Sequence, residues 1–156
     1  MYEHLLVALD GSPAAERVLE HAEALALAFS SQVTLLRATL SAEMVIAQAG
    51  AGDTTVGQVG TAMDPEPLLE ADHETALEYL DRVAGQLRGR GVKVDIETPE
   101  GPANTSIVER AQALGVNLIL MTTHGRSGLG RMVFGSTADS VLRHASCPVL
   151  IVRVTE

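Results

Sequence analysis

The feature that most constrains this chain is a set of short, unbroken apolar runs, each followed by a stretch with helical spacing. "LLVALD" (Leu5 to Asp10), "VTLLRAT" (Val33 to Thr39), "NLILMT" (Asn117 to Thr122) and "PVLIVRV" (from Pro148) are too short to be ordinary helices and carry no polar alternation. Runs of this kind suit strands buried on both faces, the condition met in parallel sheets covered by helices. "VKVDIET" (Val92 to Thr98) instead alternates apolar and polar, as a strand at a sheet edge does. Between them lie helical patterns. After Ser12, a capping residue, and Pro13, a good first helical residue, Val18, Ala22, Leu25 and Phe29 recur at helical spacing. A second helix is expected over Pro67 to Leu87, with Leu69, Ala76, Leu80, Val83 and Leu87 inward. A third carries Ile107, Val108, Ala111 and Leu114 inward, and a last one runs from about Thr137 to His144. The order predicts an α/β fold: a five-stranded parallel sheet with helices on both faces.

The 156 residues are expected to form one domain, with 41–67 a long, partly mobile loop holding a short helical piece at Ala42 to Gln48. A formal net charge of −9, two Phe, two Tyr and no Trp argue against a nucleic-acid surface, which needs a basic face or stacking platforms. Lys93 is the only lysine, so no lysine-dependent P-loop exists. A response-regulator domain, which needs a lysine after its last strand, is excluded as well. Cys147 is the single cysteine and reads as a small core residue; no intrachain disulfide can form. Residues 1–12 do not resemble a signal peptide and no apolar run approaches a membrane span, so a cytoplasmic location without membrane association is expected.

In such sheets, ligands bind beyond the carboxyl ends of the strands where strand order reverses. The loops after Asp10 and after Thr122 are the candidates. The second is "THGRSGLGRMVFGST", Thr123 to Thr137, with four glycines ahead of a helix. Gly135 permits close approach of a phosphate, and Ser136 and Thr137 offer hydroxyls beside unpaired helix N–H groups. The same residues also fit a ligand-free connection, because Ser136 and Asp139 have the spacing of a capping box. Gly128 and Gly130 begin a G-x-G pattern, but Val133 breaks the dinucleotide fingerprint. His124 has no second histidine, cysteine or acid at a ligand spacing, and "GRSG" is not a nucleophile elbow. No catalytic residue is assigned.

Taken with "LLVALDGS" and "HASCPVLIVR", the chain resembles the universal stress protein family over essentially its whole length. The nucleotide-binding branch carries G-x2-G-x9-G-S/T after its fourth strand. The pattern falls here on Thr122, Gly125, Gly135 and Ser136, with Thr122 standing in place of the first glycine. The resemblance implies a Rossmann-like adenine nucleotide-binding fold that takes ATP, or AMP or ADP. It implies that Ala8, Ala38 and Met121 flank the adenine, and that Asp10 lies near the nucleotide. Gly125, Arg126, Gly135, Ser136 and Thr137 would then surround ribose and phosphates. Asp10 and triphosphate are both anionic, so a bridging Mg²⁺ is expected; Asp10 equally suits a cap on the strand-to-helix turn. The resemblance further implies a homodimer through Val149 to Val154 and a nucleotide-dependent regulator acting on unidentified protein partners. A slow ATPase or phosphoryl-transfer enzyme is one alternative, although "LDGSPA" departs from the S-G-G-x-D-S of the related pyrophosphatases. An interaction module that no longer binds nucleotide is the other.

Overall fold

The computed structural model describes residues 1–50, 64–124 and 135–154. Five parallel strands form one sheet: β1 (His4–Ala8), β2 (Gln32–Leu36), β3 (Lys93–Glu97), β4 (Leu118–His124) and β5 (Val149–Val154). Their spatial order is β3-β2-β1-β4-β5, so the chain winds outward from β1 in one direction and then returns to build the other side. The alternating strand "VKVDIET" is at an edge, as its pattern requires, and β5 forms the opposite edge.

Strand alternation divides the core in two. Leu5, Val7 and Leu9 of the β1 segment, with Leu118 and Leu120 of β4, face α1 (Leu19–Phe29) and α3 (Glu66–Gly89). Leu6, Ile119 and Met121 face α4 (Ala103–Ala113) and α5 (Ser136–His144). Both faces of β1 and β4 are therefore apolar because both are covered, which is why these strands read as unbroken runs. The helix α2 (Ala42–Gly50) occupies the first part of the expected loop and buries no residue. No helix among the described residues is long and apolar enough to cross a membrane.

Two local expectations change. Ser12 does cap, its Oγ accepting from the Ala15 N–H at 3.1 Å, but a 3-10 turn over Ala15–Val18 precedes α1. That turn shifts the buried stripe. Ala15, Val18, Ala22 and Ala26 are buried, Leu25 is half-buried, and Phe29 is 45% exposed with its ring against Tyr2. Cys147 is half-buried against the α4–α5 core, and burial pushes its thiol pKa up, which disfavours the reactive thiolate. Leu120 is fully buried at the centre of the sheet. Leu120→Ala is expected to cost about 2–5 kcal/mol of stability, read as a lower urea midpoint with an unchanged slope.

Candidate functional site

The reversal of strand order lies between β1 and β4. These strands pair only from Leu5↔Leu118 to Val7↔Leu120. Beyond that point β4 continues alongside β5 as far as His124↔Val154, while the Leu9 N–H turns to the Leu36 carbonyl of β2 at 2.8 Å. The two chains part, and a cleft of about 280 Å³ opens at their carboxyl ends.

The cleft owes its space to truncated side chains. Ala8, Ala15, Ala103 and Ala138 all line it, each from a different element or turn, and none fills the gap. Met121, Thr122 and Thr123 form the β4 side, and Ile107 closes it from α4. Met121 is 5% exposed and belongs to the α4–α5 core as well as to the cleft wall. Thr122 remains in the strand, paired in register with Val152, so a β-branched side chain stands where the family motif has glycine.

Polar groups enter from two sides. On the β1 side, Asp10 Oδ1 accepts the Ser12 N–H at 2.8 Å, locking the turn at Gly11, whose φ is +85°. The expected cap is formed, and Oδ2 has no hydrogen-bond partner among the described residues. On the other side α5 begins at the cleft with Gly135 as its N-cap, at φ 61° and ψ 152°. An L-residue is strained in that region, whereas a Cβ there would meet nothing within 4 Å. Glycine is thus required by backbone conformation, and among the described residues nothing crowds the space in front of it.

The capping box predicted from Ser136 and Asp139 does not form. Ser136 is the first helical residue, one place too far into the helix to cap it, and no side chain caps α5. Asp139 instead accepts from Arg143 Nε at 2.8 Å, one turn on. The first helical N–H with a backbone acceptor is that of Asp139, to Gly135 O at 3.0 Å. Among the described residues, the preceding N–H groups at Ser136, Thr137 and Ala138 have no hydrogen-bond acceptor. Orphan donors and the positive end of the helix dipole therefore converge on the cleft rim.

Of the predicted site residues, Ala8, Asp10, Met121, Thr122, Gly135, Ser136 and Thr137 come together around the cleft. Ala38 does not line it, because β2 lies on the far side of β1 from β4. Arg37 and Thr39 donate their N–H groups to Glu97 O (3.1 Å) and Pro99 O (2.8 Å). By alternation, Ala38 turns its own N–H and C=O toward the β1 side, beyond the end of that strand. Gly125 and Arg126 lie outside the described residues. Ala103 and Ile107 were missed; their spacing of four on one face of α4 reads only as core. Asn104, next to Ala103, donates from Nδ2 to Ser140 Oγ at 3.1 Å and ties α4 to α5.

A single carboxylate faces the cleft, and no cluster of three or more acid, histidine or cysteine side chains exists among the described residues. Such a site suits a magnesium ion that arrives with a phosphate ligand, since Mg²⁺ keeps several waters and needs few protein oxygens.

A universal stress protein A homologue of Coxiella burnetii is 33% identical over 155 residues, covering 98% of this chain and 96% of that relative. The solved structure of MJ0577 from Methanocaldococcus jannaschii matches with a TM-score of 0.78 at 25% identity, covering 100% of this chain and 99% of that one. A universal stress protein from Archaeoglobus fulgidus, solved in complex with dAMP, shares the fold at a TM-score of 0.61 and 20% identity, with 96% and 97% covered. The model of the universal stress protein family matches residues 1–153, and with the same Rossmann-like sheet and whole-length relatives beside it, this chain belongs to the universal stress protein family.

Proposed function

We propose that this protein binds an adenine nucleotide, ATP foremost, and acts as a nucleotide-dependent regulatory or interaction module in the stress response. The observation that carries the reading is the start of α5, capped by no side chain among the described residues, with Gly135 at the rim of a cleft kept open by alanines. That arrangement has anion-binding donors at one end and room for a flat apolar group at the other. The dAMP held by the Archaeoglobus fulgidus protein of the same fold is in keeping with it. In this reading Ser136 and Thr137 meet phosphate, Met121 and Ala8 flank the base, and Gly125 and Arg126 complete the phosphate loop. Ala38 serves through its backbone N–H and C=O. Asp10, through the oxygen not bonded to the Ser12 N–H, would hold a Mg²⁺ brought by the phosphates, and that ion would supply charge neutralisation.

Thr122 supports a second reading, an interaction module without nucleotide, because its side chain occupies cleft wall that a glycine leaves free. Denaturing the purified protein and identifying any released nucleotide, then titrating ATP with Mg²⁺, separates the two. Gly135→Asp sets a carboxylate against the phosphates and imposes strain, and is expected to weaken ATP by more than about 100-fold. A wild-type protein that neither carries nor binds nucleotide establishes the second reading instead.

We also propose a homodimer through Val149 to Val154. The strand β5 is an edge whose residues, Arg153 apart, are only half-buried, and an apolar edge of this kind invites pairing. Light scattering at micromolar concentration is expected to give twice the chain mass. A monomer there ends this proposal, and Val152→Lys is expected to shift the wild-type dimer toward monomer.

A further inference from the structure

At the carboxyl end of β2, Arg37 reaches in two directions at once. Its guanidinium packs on the bare face of Gly11: a Cβ at that glycine would lie 3.2 Å from Nη1 and 3.3 Å from Cζ. On the other side Nη2 stands 3.9 Å from Asp72 Oδ1 in α3, and Cζ lies 5.7 Å from the Tyr79 ring centre. The pair is largely buried, with side-chain exposures of 18% and 23%. Asp72 does a second job, since its Oδ2 accepts the Leu40 N–H at 2.8 Å. Arg82, paired with Glu16 at 2.7 Å, approaches the same tyrosine ring at 5.3 Å. Burial first, then the charge of Glu16, push the Tyr79 hydroxyl up to about 12, against the opposing pull of Arg82. Asp10 adds to the rise, which places the turn's carboxylate within electrostatic reach of this cluster.

We infer that Arg37 is a positioning residue for the Asp10 side of the cleft: it wedges the Asp10–Gly11 turn against α3. The inference rests on the nucleotide-binding reading. The cleft is polarised, with helix donors at the α5 end and a carboxylate at the Asp10 end. An anion without a metal is drawn to the first and repelled from the second. An uncharged nucleoside meets no such repulsion and can lie against the Asp10 turn, and the precision of that turn sets how well it fits. The Ser12–Asp10 bond holds the turn internally; nothing in that bond fixes the turn relative to the rest of the sheet. Arg37 does so through a flat cation that fills the space Gly11 leaves and is itself fixed by Asp72 and Tyr79. A lysine restores the charge facing Asp72 but lacks the planar group that lies on Gly11.

The probe is adenosine without metal, titrated by calorimetry against the full-length chain. Arg37→Met keeps most of the stem and removes the charge; it is expected to weaken adenosine at least about tenfold, with Arg37→Lys recovering part of the loss. In parallel, hydrogen exchange without ligand should quicken at the Ser12 and Leu40 amides in Arg37→Met. If a buried, unpaired Asp72 prevents folding, the double variant Arg37→Met with Asp72→Asn removes both charges and carries the same expectation. Wild-type adenosine affinity and Ser12 protection in a folded Arg37→Met, or in the double variant, overturn the inference. A wild type that binds neither ATP nor adenosine overturns the nucleotide reading, and Ser12 exchange alone then decides whether Arg37 holds the turn.

Discussion

The rest of the structure depends on a pairing that stops early. The strands β1 and β4 share a register over three residue pairs and then separate. Were they to run on together, Ala8 and Met121 would be interior strand residues and the cleft would close. Their parting is enforced from both flanks. The Leu9 N–H is claimed by β2, and β4 is held to β5 from Ile119 to His124. The ligand-sized gap is thus a by-product of where strand order reverses, and the alanines around it keep it open.

The chemistry of that gap is carried mainly by backbone. Asp10 contributes one carboxylate, half of it already committed to the Ser12 N–H. Opposite it, the first N–H groups of α5, which have no acceptor among the described residues, concentrate partial positive charge in a molecule whose net charge is −9. An anion attracted to this rim approaches against the overall field of the protein, so the attraction must be local and short-ranged. That favours ligands that insert fully over ligands that merely adhere.

Much of this was legible in the sequence, for reasons that can be named. Strands buried on two faces must be continuously apolar, and "LLVAL" and "LILM" are. The Asp10 turn was legible because an aspartate two residues ahead of an N–H makes a local bond that owes little to tertiary context. What failed was whatever depended on a shift of one or two residues. A 3-10 turn rotated the α1 stripe so that Ala26 is buried and Phe29 is not. A glycine at the N-cap moved Ser136 inside α5 and left Asp139 to Arg143. Ala38 shares a small-residue signature with Ala8, yet strand order places it across β1 from the cleft, and order cannot be read from one strand. Ala103 and Ile107 escaped notice because a helix face that packs on a sheet and one that overhangs a cleft have the same periodicity.

The position of β1 has a consequence for how the chain is made. His4 donates its N–H to Asn117, a contact 113 residues away, and every β1–β4 pair spans a similar distance. During synthesis β2 emerges soon enough to pair on one side of β1, and β3 on β2, but the other side of β1 has no neighbour until residues beyond 118 leave the ribosome. For that interval a strand that ends up buried on both faces is a bare edge, the form most prone to mispairing. The cleft does not exist during this time either, because one of its walls has yet to be translated. A ligand therefore cannot template the early half of folding; it can only act on a chain that has already closed its sheet.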